Sequence, residues 1–141
     1  MDYDEYRRKY VVDPPPKPRF EFAGVKGLAL FYEDYERAVD FYTEVLGDPV
    51  YVEGTGTKSW AVGDTWLTLL RGTDGNPRNV EVPLVTATPQ EADRLQRAFI
   101  AAGGTGQDPF NTLMGVPVRY CAVTDPLGVE LLIYCPLPTI D

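Results

Sequence analysis

A strand–helix–strand pattern occurs twice in this sequence, and few folds accommodate such a duplication. Gly27-Leu28-Ala29-Leu30-Phe31-Tyr32 is an apolar run of strand length. Asp34 follows as a helix N-cap. From residue 35 to 46, Ala38, Phe41, Tyr42, Val45 and Leu46 share one helical face, and Gly47 stops the helix. Strands are predicted at 50–53, 59–62 and 66–71, with Gly54-Thr55-Gly56 and Gly63-Asp64 as turns. The second copy starts with a strand at 79–86. Thr88-Pro89-Gln90-Glu91 then opens a helix over 91–102 that buries Ala92, Leu95, Phe99 and Ala102. Strands at 116–123 and 129–134 flank the turn Asp125-Pro126-Leu127-Gly128, with a short extra strand at 105–108. An offset of 54 lays Gly27–Leu30 on Glu81–Leu84, and both helix caps fall seven residues after that start. An offset of 64 lays Leu67-Thr68-Leu69 on Leu131-Leu132-Ile133. The expectation is an α+β fold of two βαβββ modules, at about 25–71 and 79–135. Together they form one curved, cup-shaped mixed sheet with helices on its outer face.

The chain is 141 residues long, which suits a single core shared by two small repeats. It contains no histidine. That removes serine–histidine and cysteine–histidine nucleophile pairs and histidine-ligated metals. Thirteen basic and 21 acidic residues leave a net charge of −8, which disfavours nucleic acid and anionic membrane as partners. Cys121 and Cys135 lack metal-ligand spacing and read as buried thiols. No apolar run has the length of a membrane span, so a soluble, cytoplasmic protein is expected. Residues 1–22 form a distinct arm ahead of a domain at 23–141. Its 13–18 stretch is proline-rich and extended. The arm is either disordered or docks Tyr3, Tyr6, Phe20 and Phe22 on the body or on a second subunit.

Strand parity separates core from cup. Leu28, Leu30, Val82, Leu84, Leu67, Leu69, Leu131 and Ile133 share one parity and should face the helices. The other parity carries Gly27, Phe31, Trp66, Thr68, Glu81, Glu130, Leu132 and Tyr134. This mixture of aromatic, small and acidic residues suits a ligand cleft better than a core. Glu81 is the leading candidate. It binds a cationic or hydrogen-bond-donating group, acts as a general base, or is neutralised by Arg119 or Arg78. Phe31, Trp66 and Tyr134 would form an aromatic wall, with Trp60 on either face. Arg119 would place a guanidinium near the cup, and 111–115 reads as a flap at its mouth or as a plain loop.

Val25-Lys26-Gly27-Leu28-Ala29-Leu30-Phe31-Tyr32-Glu33-Asp34, the Phe41-Tyr42…Leu46-Gly47 phrase and Asp125-Pro126-Leu127-Gly128-Val129-Glu130 resemble the glyoxalase, bleomycin-resistance and extradiol-dioxygenase superfamily. That resemblance implies four inward metal ligands, one from each of four strands. The matching positions here are Gly27, Thr68, Glu81 and Leu132, with Glu130 two residues from the last. Only Glu81 is a plausible ligand at its own position, and one carboxylate does not hold a divalent ion. The resemblance therefore points to a protein without metal or cofactor that binds or sequesters a small, partly apolar molecule, cationic or aromatic, between the subunits of a homodimer. The alternative is an enzyme of the same superfamily. It would be a metal-dependent lyase or dioxygenase with unusual ligands, or a metal-free isomerase using Glu81.

Overall fold

The computed structural model describes residues 2–138. The first module consists of β1 (Gly27–Tyr32), α2 (Tyr35–Leu46), β2 (Tyr51–Glu53), β3 (Thr57–Val62) and β4 (Thr65–Arg71), preceded by α1 (Tyr3–Tyr10). The second consists of β5 (Glu81–Val85), α3 (Pro89–Ala101), β6 (Phe110–Met114), β7 (Val116–Tyr120), β8 (Val123–Thr124) and β9 (Glu130–Pro136). The strand orders match: β1-β4-β3-β2 in one module and β5-β9-β7-β6 in the other, with β8 also on β9. In both, the first strand lies parallel to the last, with Gly27 beside Trp66 and Glu81 beside Glu130. The α+β class and its two βαβββ modules are thus observed. The sheet is divided, one mixed sheet per module, and no strand pair joins the two among the described residues.

α2 and α3 lie on the aliphatic faces. Leu30, Leu67, Leu69, Val82, Leu131 and Ile133 are buried against Ala38, Phe41, Tyr42, Ala92 and Phe99. Phe41 of α2 stacks on Phe99 of α3 with centroids 5.4 Å apart, so one core serves both modules. Trp60 joins that core and donates its indole N–H to the carbonyl of Gly47, 2.8 Å away. Gly47 ends α2 at φ +86°, a conformation that suits glycine.

At the centre of the core is one buried carboxylate. Asp125 Oδ2 accepts hydrogen bonds from the hydroxyls of Tyr32 (2.7 Å) and Tyr42 (2.9 Å), both of the first module. Its Oδ1 accepts from the backbone N–H groups of Leu127 (2.8 Å) and Val129 (3.0 Å) in its own turn. Burial first, and then neighbouring charge, push both tyrosine hydroxyls above the ordinary tyrosine range, so they remain donors.

Several local expectations change. Residues 3–10 form α1, because Asp2 accepts from Glu5 N–H while the Glu5 carboxylate accepts from the Asp2 N–H. The side chain of Asp34 does not cap α2. It accepts from Asn76 Nδ2, whose own carbonyl oxygen accepts the Asp34 N–H, so the inter-module linker holds that helix start. Residues 111–115 are not a flap: they pair with β7 as β6 and turn at Gly115, where φ is +74°. The strand expected at 105–108 is reduced to a single bridge between Thr105 and Thr124, and the one expected at 116–123 is split at Cys121 and Ala122.

Replacing Asp125 leaves two buried hydroxyls and two backbone donors without an acceptor. Asp125→Ala is expected to lower unfolding free energy by about 3–5 kcal/mol, read by urea denaturation. Tyr32→Phe and Tyr42→Phe each remove one donor to a charged acceptor and should cost roughly 1.5–3 kcal/mol.

Candidate functional site

The sheet faces opposite the helices hold most of the predicted residues. On the first sheet, β1, β4 and β3 place Gly27, Trp66 and Ala61 in one row and Ala29, Thr68 and Ser59 in the next. The Ser59 and Thr68 hydroxyls are 2.7 Å apart and satisfy each other, while Tyr51 leans on Trp66 with ring centroids 5.4 Å apart. Lys26 Nζ lies 5.8 Å from the Trp66 ring centroid. Phe31 is 58% exposed. It borders a surface hollow of about 460 Å³ formed with Arg71 and the linker, away from Trp66.

On the second sheet the rows are chemically different. Glu81 and Glu130 are direct neighbours on β5 and β9, and Pro83 neighbours Leu132. Val85, Tyr134, Tyr120 and Phe110 form the next row across four strands. Phe110 and Tyr120 are 5.0 Å apart between ring centroids. Burial, then the charges of Glu130 and Glu81, raise the Tyr120 hydroxyl above its ordinary range, which places it near both carboxylates. Glu81 is exposed, and no ion pair reaches it or Glu130 among the described residues.

Two predicted residues are placed differently. Arg119 pairs with Cys135 across β7 and β9, which turns it to the helix side. There Arg119 Nε and Nη2 donate to Asp93 Oδ1 and Oδ2 of α3 at 2.8 and 3.1 Å, and Nη1 donates to Asn111 at 3.2 Å. It is neither a cup residue nor the partner of Glu81. Its neighbour Tyr120 takes the open-face position instead. Gly27 does not leave room in the cup, because a Cβ there would meet the carbonyl of Trp66. Its bareness is the condition for β1 to approach β4.

The metal-ligand positions can now be judged on their donors. Gly27 has no space for a side chain, the Thr68 hydroxyl is engaged with Ser59, and Leu132 carries no donor and is only 8% exposed. The register pairs Leu132 with Pro83 and Glu130 with Glu81, so Glu130 does not take the fourth position. Among the described residues no three Asp, Glu, Cys or His side chains are grouped to hold a metal. The donor set does not fit the four-ligand site.

The sheets meet at a crevice of about 250 Å³ between β1 and β5, where Gly27 and Trp66 face Val82 and Pro83. A second hollow of about 240 Å³ borders Phe110, Tyr120 and Thr124. Both are below the ~300–1,000 Å³ usual for a ligand site, so enclosing a ligand there needs another surface. Cys121 is buried behind the second sheet, and burial, with the hydrogen bond to Asp93 next, pushes its thiol up to about 12. It is a packing residue.

The profile of the Glyoxalase/Bleomycin resistance protein/Dioxygenase superfamily matches residues 24–133. Among solved structures, a glyoxalase/bleomycin resistance protein/dioxygenase from Nocardioides is 20% identical. That match covers 95% of this chain and 92% of that one, with a TM-score of 0.67. A family enzyme from Burkholderia phytofirmans PsJN is 17% identical over 82% of this chain and all of its own, with a TM-score of 0.68. Lactoylglutathione lyase from Agrobacterium tumefaciens is 17% identical over 82% of this chain and 97% of its own, with a TM-score of 0.61. At such identities the likeness concerns the fold. No curated protein matches the chain.

Two outcomes follow from this geometry. The Arg119 hydrogen bonds hold the Asp93 carboxyl below its ordinary value of 3.8, against the opposing effect of burial. A depressed carboxyl pKa stabilises the fold above the unfolded value and loses that contribution as pH falls through the folded one. Asp93→Asn should therefore lower the urea midpoint at neutral pH, with the gap to wild type closing as pH drops below 3.8. Gly27→Ala should push β1 off β4 and cost roughly 1–3 kcal/mol of stability, read by thermal unfolding.

Proposed function

The chain belongs to the glyoxalase/bleomycin resistance protein/dioxygenase superfamily, and we propose that within it this protein binds and sequesters a small, partly apolar cation without using a metal ion. The observation that carries this reading is the Glu81–Glu130 pair. Like charges placed side by side across neighbouring strands destabilise a sheet. Here the pair is adjacent in register, with no cation beside it among the described residues. A bound cation removes that repulsion. Tyr120, Tyr134 and Phe110 on the same face offer π-faces to its charge and apolar surface to its body. The net charge of −8 attracts cations over a longer range.

Two copies complete the site in this reading. The open faces leave Phe31, Val85 and Phe110 exposed, and the hollows beside Trp66 and Tyr120 are shallow. Pairing of these faces in a homodimer encloses the ligand and dries the carboxylates, which strengthens a charge-assisted contact.

Titration with aromatic quaternary ammonium compounds tests this reading. They should quench the half-buried Trp66, whereas neutral isosteres of the same shape should not. Glu81→Gln and Glu130→Gln should each weaken binding about tenfold or more, since a contact with a charged group contributes ~1.5–3 kcal/mol. Equal affinity for the neutral isosteres, or a stoichiometric divalent metal retained on the purified protein, would overturn the proposal.

A further inference from the structure

The helix side of the first sheet holds a hollow separate from the open faces. Val52, Lys58 and Leu69 form one row across β2, β3 and β4. Leu69 is fully buried in the core, whereas Lys58 is half-buried and Val52 is 57% exposed. The uncovered end of this row, the first turns of α2 and the β2–β3 turn enclose about 350 Å³. That volume is within the ~300–1,000 Å³ of a ligand site, unlike the hollows beside Trp66 and Tyr120.

Arg71 fixes the rim. Its guanidinium carbon lies 4.6 Å from the Tyr35 ring centroid. Its Nη2 donates to Glu36 and to the Thr55 carbonyl, the latter 2.9 Å away. The Arg71 backbone N–H donates to the Gly56 carbonyl at 2.9 Å, so the β2–β3 turn is tied to β4.

Three groups on this wall are left over. Tyr35 lines the hollow and is 2% exposed, yet its hydroxyl has no hydrogen-bond partner among the described residues. A buried hydroxyl without a partner is costly and therefore uncommon. Burial raises that hydroxyl above the ordinary tyrosine range, Arg71 opposes the shift and Glu36 adds to it, which places the hydroxyl beside the rim these two form. Lys58 and Asp40 also line the hollow, and neither belongs to an ion pair among the described residues. Arg71 and Glu36 neutralise each other. What remains is one cation, one anion and one hydroxyl. A simple anion would meet Asp40, and a simple cation would meet Lys58. A molecule that carries both charges satisfies both.

We infer that this hollow binds a small zwitterion of the apolar amino-acid class, with its carboxylate at Lys58 and the Tyr35 hydroxyl, its ammonium at Asp40 and its side chain against Val39 and Val52. Trp66 and Thr68 lie on the opposite side of the same sheet, so this site is independent of the one proposed above.

Calorimetric titration of the full chain with free L-leucine, isoamylamine and isocaproate tests the inference. Leucine should bind and shift the backbone amide resonances of residues 35–40 and 52–58. Isoamylamine lacks the carboxylate and isocaproate lacks the ammonium, so each should bind about tenfold more weakly or not at all. Tyr35→Phe, Lys58→Met and Asp40→Asn should each weaken leucine binding about fivefold or more. Tyr35→Phe removes a hydroxyl that has no partner, so its melting temperature should equal or exceed that of the wild type, whereas loss of a structural hydrogen bond would lower it. No leucine binding at millimolar concentration, equal affinity for either analogue, or a Tyr35→Phe protein that binds leucine as the wild type does would each overturn the inference.

Discussion

One buried carboxylate sets the relation between the two halves. Asp125 lies in the closing turn of the second module, yet two of its four hydrogen-bond donors are tyrosines of the first. A charge taken out of water is tolerated only when its lone pairs are satisfied. Here that condition is met by Tyr32 at the end of β1, Tyr42 in the middle of α2 and two N–H groups of the turn. The geometry of β1, α2 and β9 is therefore coupled through one residue. The Phe41–Phe99 stack adds contact between the helices, but a stack has no direction in which it fails. A carboxylate does, so Asp125 supplies the specificity of the arrangement. Because it holds the helix sides together, the opposite faces of both sheets are left open for other uses.

Much of this architecture was legible because side-chain alternation in a strand has period two. The parity that puts Leu30, Leu67, Leu69, Leu131 and Ile133 in the core also puts Trp66, Glu81, Glu130 and Tyr134 on the open faces, as the register shows. The helix over 35–46 matched the expected bounds because the apolar face and the Gly47 stop agree. The mispredicted pieces lack such agreement. In α1, mean polarity hid a capping box between Asp2 and Glu5. In β6, Asn111, Gly115 and the mixed pattern between them read as loop, although Gly115 only turns one strand into the next.

Arg119 shows how a single parity decides a site residue. Cys121 and Val123 are buried against the helices, and Arg119 is two and four residues from them on the same continuous register. A cation on the helix side needs a counter-charge there. The missing fact was Asp93, one turn into α3, where the lattice of helix and strand positions brings its carboxylate within hydrogen-bond reach. Sequence separation concealed that pairing. Once Arg119 is assigned inward, Tyr120 must point outward, and the open face acquires an aromatic row in place of a guanidinium.

Exchanging Arg119 for Tyr120 changes the chemistry of the face. With Arg119 in the cup, Glu81 would have an internal counter-ion and only one of the two carboxylates would be left uncompensated. With Tyr120 there instead, two carboxylates and three aromatic rings share one face without a fixed positive charge among the described residues. On the open face of the first module Lys26 Nζ lies 5.8 Å from the Trp66 ring centroid, Gly27 is closed against Trp66, and the Ser59 and Thr68 hydroxyls satisfy each other. The open faces of the duplicated fold are therefore chemically unlike: one carries Trp66 and Tyr51 with Lys26 beside them, and the other carries two adjacent carboxylates. A symmetric pair of donors from both modules would favour a metal ion, which draws ligands from all sides. In the proposed reading, carboxylates confined to the second module favour an elongated cation, with its charged end there and its apolar body against the aromatic rings of the first.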